Sequence, residues 1–116
     1  MQLQQVASIL HIDLSSTLGR FADNESLYCR FLKKLGGDPS FAALKSAMSE
    51  QNWPEIERQA HTLKGVSANL GLCALQNSCD ALVKAMREHR LNQAGELFAQ
   101  LSAQYALAMD ALSALD

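Results

Sequence analysis

The sequence has little of what most functional classes need. In 116 residues there are only two prolines and three cysteines, and aromatic residues make up 6%. Both prolines stand where helices can begin, and β-branched residues are scarce, so little interrupts helix formation. The cysteines, Cys29, Cys73 and Cys79, are odd in number and form no CxxC pair, which excludes a disulfide framework and a zinc site of paired thiolates. Each lies among apolar residues at helical spacing, so buried free thiols in a reducing compartment are expected. A basic excess is also missing, with 10 Lys and Arg against 12 Asp and Glu and a net charge of −2. Binding to nucleic acid needs a basic surface and is not expected; nor is a block of like charges present to hold a membrane surface. No apolar run approaches the roughly 20 residues of a membrane span. The start, Met1-Gln-Leu-Gln-Gln, lacks the basic opening of a secretion signal. A cytoplasmic chain, or a cytoplasmic piece of a larger one, is expected.

What is present favours helix. Apolar residues make up 48% of the chain, enough for one core, and Ala, Leu, Gln and Lys are plentiful. Leu3, Val6 and Leu10 suggest a short helix or the end of a linker over residues 1–12. Asp13 can cap a second short helix reaching about Arg20. Asp23 or Asn24 can cap a third, with Leu27, Tyr28, Phe31, Leu32 and Leu35 as its buried stripe. Gly36-Gly37 is expected to end it through a left-handed cap, and Asp38-Pro39 to restart a helix with Phe41, Leu44 and Met48 inward. Asn52 and Glu55 form a capping-box pattern with Pro54 in the first turn, opening a helix that runs to about Leu70 and stops at Gly71. The next spans Leu72–Arg87, with the stripe Leu72, Leu75, Cys79, Leu82 and Met86. The last runs from about Leu91 to Ala114. Residues 13–116 are therefore expected to form one all-α domain, an antiparallel up-down four-helix bundle with the short N-terminal helices packed over one end.

One helix carries more than packing. At about 100° per residue, Ile56, Ala60, Leu63, Ser67 and Leu70 share one face of the helix from Pro54 to Leu70. His61 falls roughly 150° from the centre of that face, on the solvent side and in mid-helix. Glu57 and Arg58 lie one turn before it, Lys64 and Gly65 one turn after, and Ala68 beyond. A glycine within a helix costs about 1 kcal/mol relative to alanine, so Gly65 at an exposed position needs a reason. Close approach of another molecule to the imidazole supplies one, and Ala68 extends the cleared strip. An imidazole changes charge near neutral pH and can act as a nucleophile without a separate base. Phosphoryl transfer asks mainly for positioning and charge neutralisation, and Lys64 can supply the second. Taken singly, an exposed histidine, a mid-helix glycine and a neighbouring lysine are each ordinary surface features; their combination is specific. His11 and His89 lack such surroundings and read as surface or helix-end residues, and Trp53 reads as packing at the start of the His61 helix.

The run Ala60-His-Thr-Leu-Lys-Gly65, followed by Ser67, Asn69, Leu70 and Gly71, resembles the signature of histidine-containing phosphotransfer (HPt) domains. Leu27-Tyr28, Leu32, Leu75 and Leu82 fit the same spacing, so the resemblance spans about residues 12–112. It implies a four-helix bundle with His61 as phosphoacceptor on its second helix, Lys64 as charge support and Gly65 as access. It also implies partners: response-regulator receiver domains that give or take the phosphoryl group through an aspartate, docking over Glu57, Arg58, Lys64, Gly65 and Ala68. Such domains occur alone or at the C-terminal end of hybrid sensor kinases. The chain is expected to be a monomer that binds no cofactor, with Mg²⁺ supplied by the receiver. It has no nucleotide-binding motif, so autophosphorylation from ATP is not expected. One position departs from the pattern. Many members carry Glu or Gln 22 residues after the histidine, where this chain has Val83, which cannot hydrogen-bond to the imidazole. Gln76 and Lys84 lie on the same helix, and the sequence gives neither of them that role. A receiver-binding module without transfer chemistry is the alternative. A metal-binding bundle, which needs Glu-x-x-His pairs on facing helices, finds no such pair here.

Overall fold

The computed structural model describes all of residues 1–116. It contains seven α-helices and no strand: α1 Leu3–Ile9, α2 Leu14–Leu18, α3 Glu25–Lys34, α4 Ser40–Glu50, α5 Trp53–Asn69, α6 Cys73–Arg87 and α7 Ala94–Ser113. Short 3-10 turns, Gly19–Phe21, Leu35–Gly37 and Leu91–Gln93, follow α2 and α3 and precede α7. Polar caps start several of these helices by accepting a backbone N–H that has no intrahelical partner. Asp13 accepts from Ser16, Asn24 from Leu27 and Asn52 from Glu55. At Asn52 only half of the expected capping box is made: the Glu55 carboxylate turns instead to Arg58 and Gln59.

Helices α4 to α7 form the bundle. Leu44, Ile56, Leu63, Cys79, Leu82 and Leu101 are fully buried, one or two from each helix. The Phe41 ring of α4 stacks on Tyr105 of α7 with centroids 4.0 Å apart, closing the fourth side. No helix is long and apolar enough to cross a membrane.

The N-terminal helices pack over the end where α5 turns into α6. The buried Tyr28 hydroxyl donates to the Leu70 carbonyl at 2.6 Å, and Arg20 donates to the Ala68 carbonyl at 2.7 Å. These carbonyls belong to the last turn of α5 and to its cap residue Leu70, where carbonyls lack helical donors and carry the negative end of the helix dipole. Gly71 takes φ +77°, and a Cβ there would stand 2.5 Å from Thr17 Oγ1. The turn is closed by Leu72 N–H donating to Ser67 and Gly71 N–H to Ala68, the paired bonds of a Schellman cap. His11 and His89 make the same turn after α1 and α6, at φ 55° and 56°. Both are exposed helix-end residues.

Further sequence expectations fail. Gly36-Gly37 adopts no left-handed cap; α3 tightens into a 3-10 turn there, with φ negative at both glycines. Pro39 precedes the first turn of α4 as its cap residue, while Asp38 accepts the Ser40 N–H. Phe31 is 38% exposed, because Tyr28, Leu32 and Leu35 already fill the inner face of its segment. The cysteines also divide. Cys79 is buried, and burial pushes its thiol up to about 12. Cys29 is half-buried, and Cys73 is exposed in the first turn of α6.

Candidate functional site

Helix α5 has two faces of opposite chemistry. Ile56, Ala60, Leu63 and Ser67 are buried, and Ser67 satisfies its hydroxyl by donating to the Leu63 carbonyl at 2.7 Å. On the other side His61, Arg58 and Gly65 are exposed, while Glu57, Lys64 and Ala68 are half-buried. The His61 imidazole takes part in no hydrogen bond within the chain, although the side chains around it do. A Cβ added at Gly65 would meet nothing within 4 Å. Packing within this molecule therefore gives no reason for that glycine.

The charged residues near His61 are organised by α6. Positions 57, 61 and 64 form a stripe at i, i+4 and i+7, and so do positions 80, 84 and 87. The two helices run antiparallel, and the stripes meet along one seam. Glu57 pairs with Arg87 at 3.3 Å at one end, and Lys64 pairs with Asp80 at 2.9 Å at the other. Between these rungs stand His61 on α5 and Lys84 on α6. Lys84 makes no hydrogen bond to His61; its ammonium lies 2.9 Å from the second carboxylate oxygen of Asp80. Asp80 thus holds two lysines, one on each oxygen. Hydrogen bonds from Lys64 and then Lys84 hold its carboxyl below the usual carboxylate range.

These contacts distribute the expected site residues unevenly. Lys64 sits one turn from His61, but its ammonium is bound to Asp80 rather than free in solvent, and its side chain is 31% exposed. Arg58 is drawn back to Glu55 at 2.8 Å, toward the start of the helix. Its hydrogen bond is the main reason the Glu55 carboxyl titrates below its ordinary range. Ala68 offers a small half-buried side chain, and its carbonyl is covered by Arg20. Val83 is fully buried and belongs to the core rather than the seam. Sequence reasoning did not single out Asp80 or Arg87. The signal available was the spacing of Asp80, Lys84 and Arg87, which matches that of Glu57, His61 and Lys64.

In chemical terms the site offers an unpartnered nucleophilic imidazole, open space one turn further on, and two lysines held by Asp80 on the same seam. No group of three or more His, Cys, Asp or Glu side chains converges to hold a metal ion. A family model described as Hpt domain matches residues 37–115. The match takes in the whole bundle and begins after α3, so Leu27, Tyr28 and Leu32 lie outside it. No curated protein and no solved structure matches the chain.

Proposed function

This chain belongs to the Hpt domain family, whose business is histidine phosphotransfer in phosphorelays, and from that premise we propose that His61 carries the phosphoryl group. It takes the group from the aspartate of one receiver domain and gives it to the aspartate of another. The observation that carries this reading is the exposed, unpartnered imidazole in the middle of α5, with nothing within 4 Å of where a Cβ at Gly65 would stand.

In the first transfer a lone pair on one imidazole nitrogen attacks the phosphorus of the aspartyl phosphate. The N–P bond forms as the P–O bond to the aspartyl carboxylate breaks, and that bond's electron pair leaves on the carboxylate. The other ring nitrogen keeps its proton. Onward transfer is the reverse step on a second receiver. Charge spreads over the phosphoryl oxygens as the group moves, and Lys64 supplies a cation one turn away. The divalent ion belongs to the receiver's acidic pocket. The receiver docks over Glu57, Arg58, Lys64, Gly65 and Ala68, and one such face on a monomer serves donor and acceptor in turn.

The test uses a receiver phosphorylated with labelled acetyl phosphate and magnesium. The wild-type chain takes up label that is lost in acid and kept in base. His61→Gln keeps its fold, because the site is exposed, and takes up none. Label on that variant would move the acceptor elsewhere. No label on the wild-type chain, together with intact receiver binding, would leave a docking module without transfer chemistry, the reading that Val83 favours.

A further inference from the structure

The family reading gives Lys64 a role and leaves Lys84 and Asp80 without one. Their placement supplies it. Along the α5–α6 seam, His61 lies between Glu57 and Lys64, and Lys84 lies between Arg87 and Asp80. Because the two outer rungs pair 57 with 87 and 64 with 80, the middle positions 61 and 84 stand at the same level on facing helices. Lys84 is exposed, with a long flexible stem and 66% of its side chain accessible. Its ammonium is turned along its own helix toward Asp80, one turn back, instead of across toward His61. Lys64 is turned to the same carboxylate from the other helix. The seam that carries His61 therefore also carries two cations, both held by one acidic residue.

We propose that Lys84 is a second cation for the phosphoryl group on His61, and that Asp80 holds Lys84 and Lys64 aside until that group arrives. This rests on the reading of His61 as the acceptor. A phosphorylated His61 adds a group with nearly two negative charges at the level of Lys84. It then competes with Asp80 for both ammonium groups. Lys84 reaches across from α6, the helix on which many family members place their Glu or Gln and this chain places a buried Val83. Asp80 acts in the opposite sense. By binding the lysines in the unmodified chain it lowers the gain on phosphorylation, which keeps the group from settling on His61 and favours passing it on.

The two residues therefore predict shifts of opposite sign in one equilibrium, the partition of phosphoryl between His61 and a receiver aspartate. The experiment mixes the whole chain with a phosphorylated receiver and magnesium and measures the labelled fraction of each protein at equilibrium. Lys84→Gln is expected to shift the partition toward the receiver by about two- to fivefold, the scale of a solvent-exposed charge pair. Lys84→Arg, which keeps the charge, restores it. Asp80→Asn shifts the partition toward His61 by a similar factor. Both side chains are at the surface, so thermal melting of the variants stays near wild type and a merely structural role would leave the partition where it was. An unchanged partition in Lys84→Gln overturns the role of Lys84. A shift toward the receiver in Asp80→Asn overturns the role of Asp80 as competitor and makes it a support for the lysines. If the wild-type chain takes up no label, the acceptor assignment itself has failed, which is a distinct result.

Discussion

Two glycines six residues apart, Gly65 and Gly71, show how differently the same residue type is explained in this chain. At Gly71 every reason lies inside the molecule. The backbone is left-handed, Thr17 stands where a side chain would go, and the carbonyls around the turn are taken by Tyr28 and Arg20. At Gly65 no reason lies inside. The backbone is ordinary helix, and the space beside it is open. One glycine is required by the fold. The other weakens the helix for nothing the fold uses, which points to a second molecule. The end of α5 is thus built for stability, and its middle is left bare, as the proposed docking requires.

Substitutions at the two ends of this contrast test it. The largest effect on stability is expected at Gly71. Alanine there adopts an unfavourable left-handed conformation and overlaps the buried Thr17, a combination that costs about 2–4 kcal/mol. Urea melts of Gly71→Ala should show that loss, while the molecules still folded take up phosphoryl at the wild-type rate. Adding Thr17→Ala should recover part of it, since the closest overlaps are removed. No recovery would mean that the backbone conformation alone carries the cost.

Tyr28→Phe is next at the same end. It removes the donor to the Leu70 carbonyl in a buried place, which costs about 1–2 kcal/mol. Calorimetry should register it as a lower melting temperature with transfer unchanged. A fall in transfer at constant stability would join the two regions that the glycines separate.

Lys64→Ala is expected to have the smallest effect. The side chain is partly exposed, and its pair with Asp80 is the kind worth less than about 1 kcal/mol to folding. Stability should hardly move. Transfer or the lifetime of the phosphorylated state should fall by about two- to fivefold, because solvent and Lys84 share the work. Unchanged rates and lifetime would remove Lys64 from the site.

The sequence made the two faces of α5 legible because helix periodicity sorts apolar from polar positions without any tertiary information. Asn52, Pro54 and Gly71 marked its ends for equally local reasons, a cap, a first-turn proline and a left-handed turn. The misreadings were of another kind. Gly36-Gly37 looked like a left-handed cap, yet the left-handed turns at His11 and His89 were taken by residues with no glycine signal. Phe31 falls on an apolar stripe and Cys73 lies among apolar residues, but which of these side chains are covered depends on the neighbouring helix. The same limit applies at the site. His61, Lys64 and Gly65 were visible as neighbours on one helix, whereas Asp80 and Arg87 enter only through the register of α6 against α5. That register also turned Lys64 from a free cation into a held one.

The most direct test of the account is Gly65→Gln, measured for stability and for transfer in the same preparation. Glutamine is a better helix former than glycine, so the isolated chain should be about 0.5 kcal/mol more stable, or unchanged. A side chain caught between docked proteins costs about 1–3 kcal/mol, so uptake from a phosphorylated receiver should fall by about five- to 150-fold. Uptake from a small donor such as phosphoramidate, which needs no docking, should fall much less. Loss of folding would make Gly65 a packing residue of the bundle and contradict the open space beside it. Unchanged stability with unchanged uptake from the receiver would mean that partners approach His61 from another side, and the contrast between the two glycines would lose its meaning.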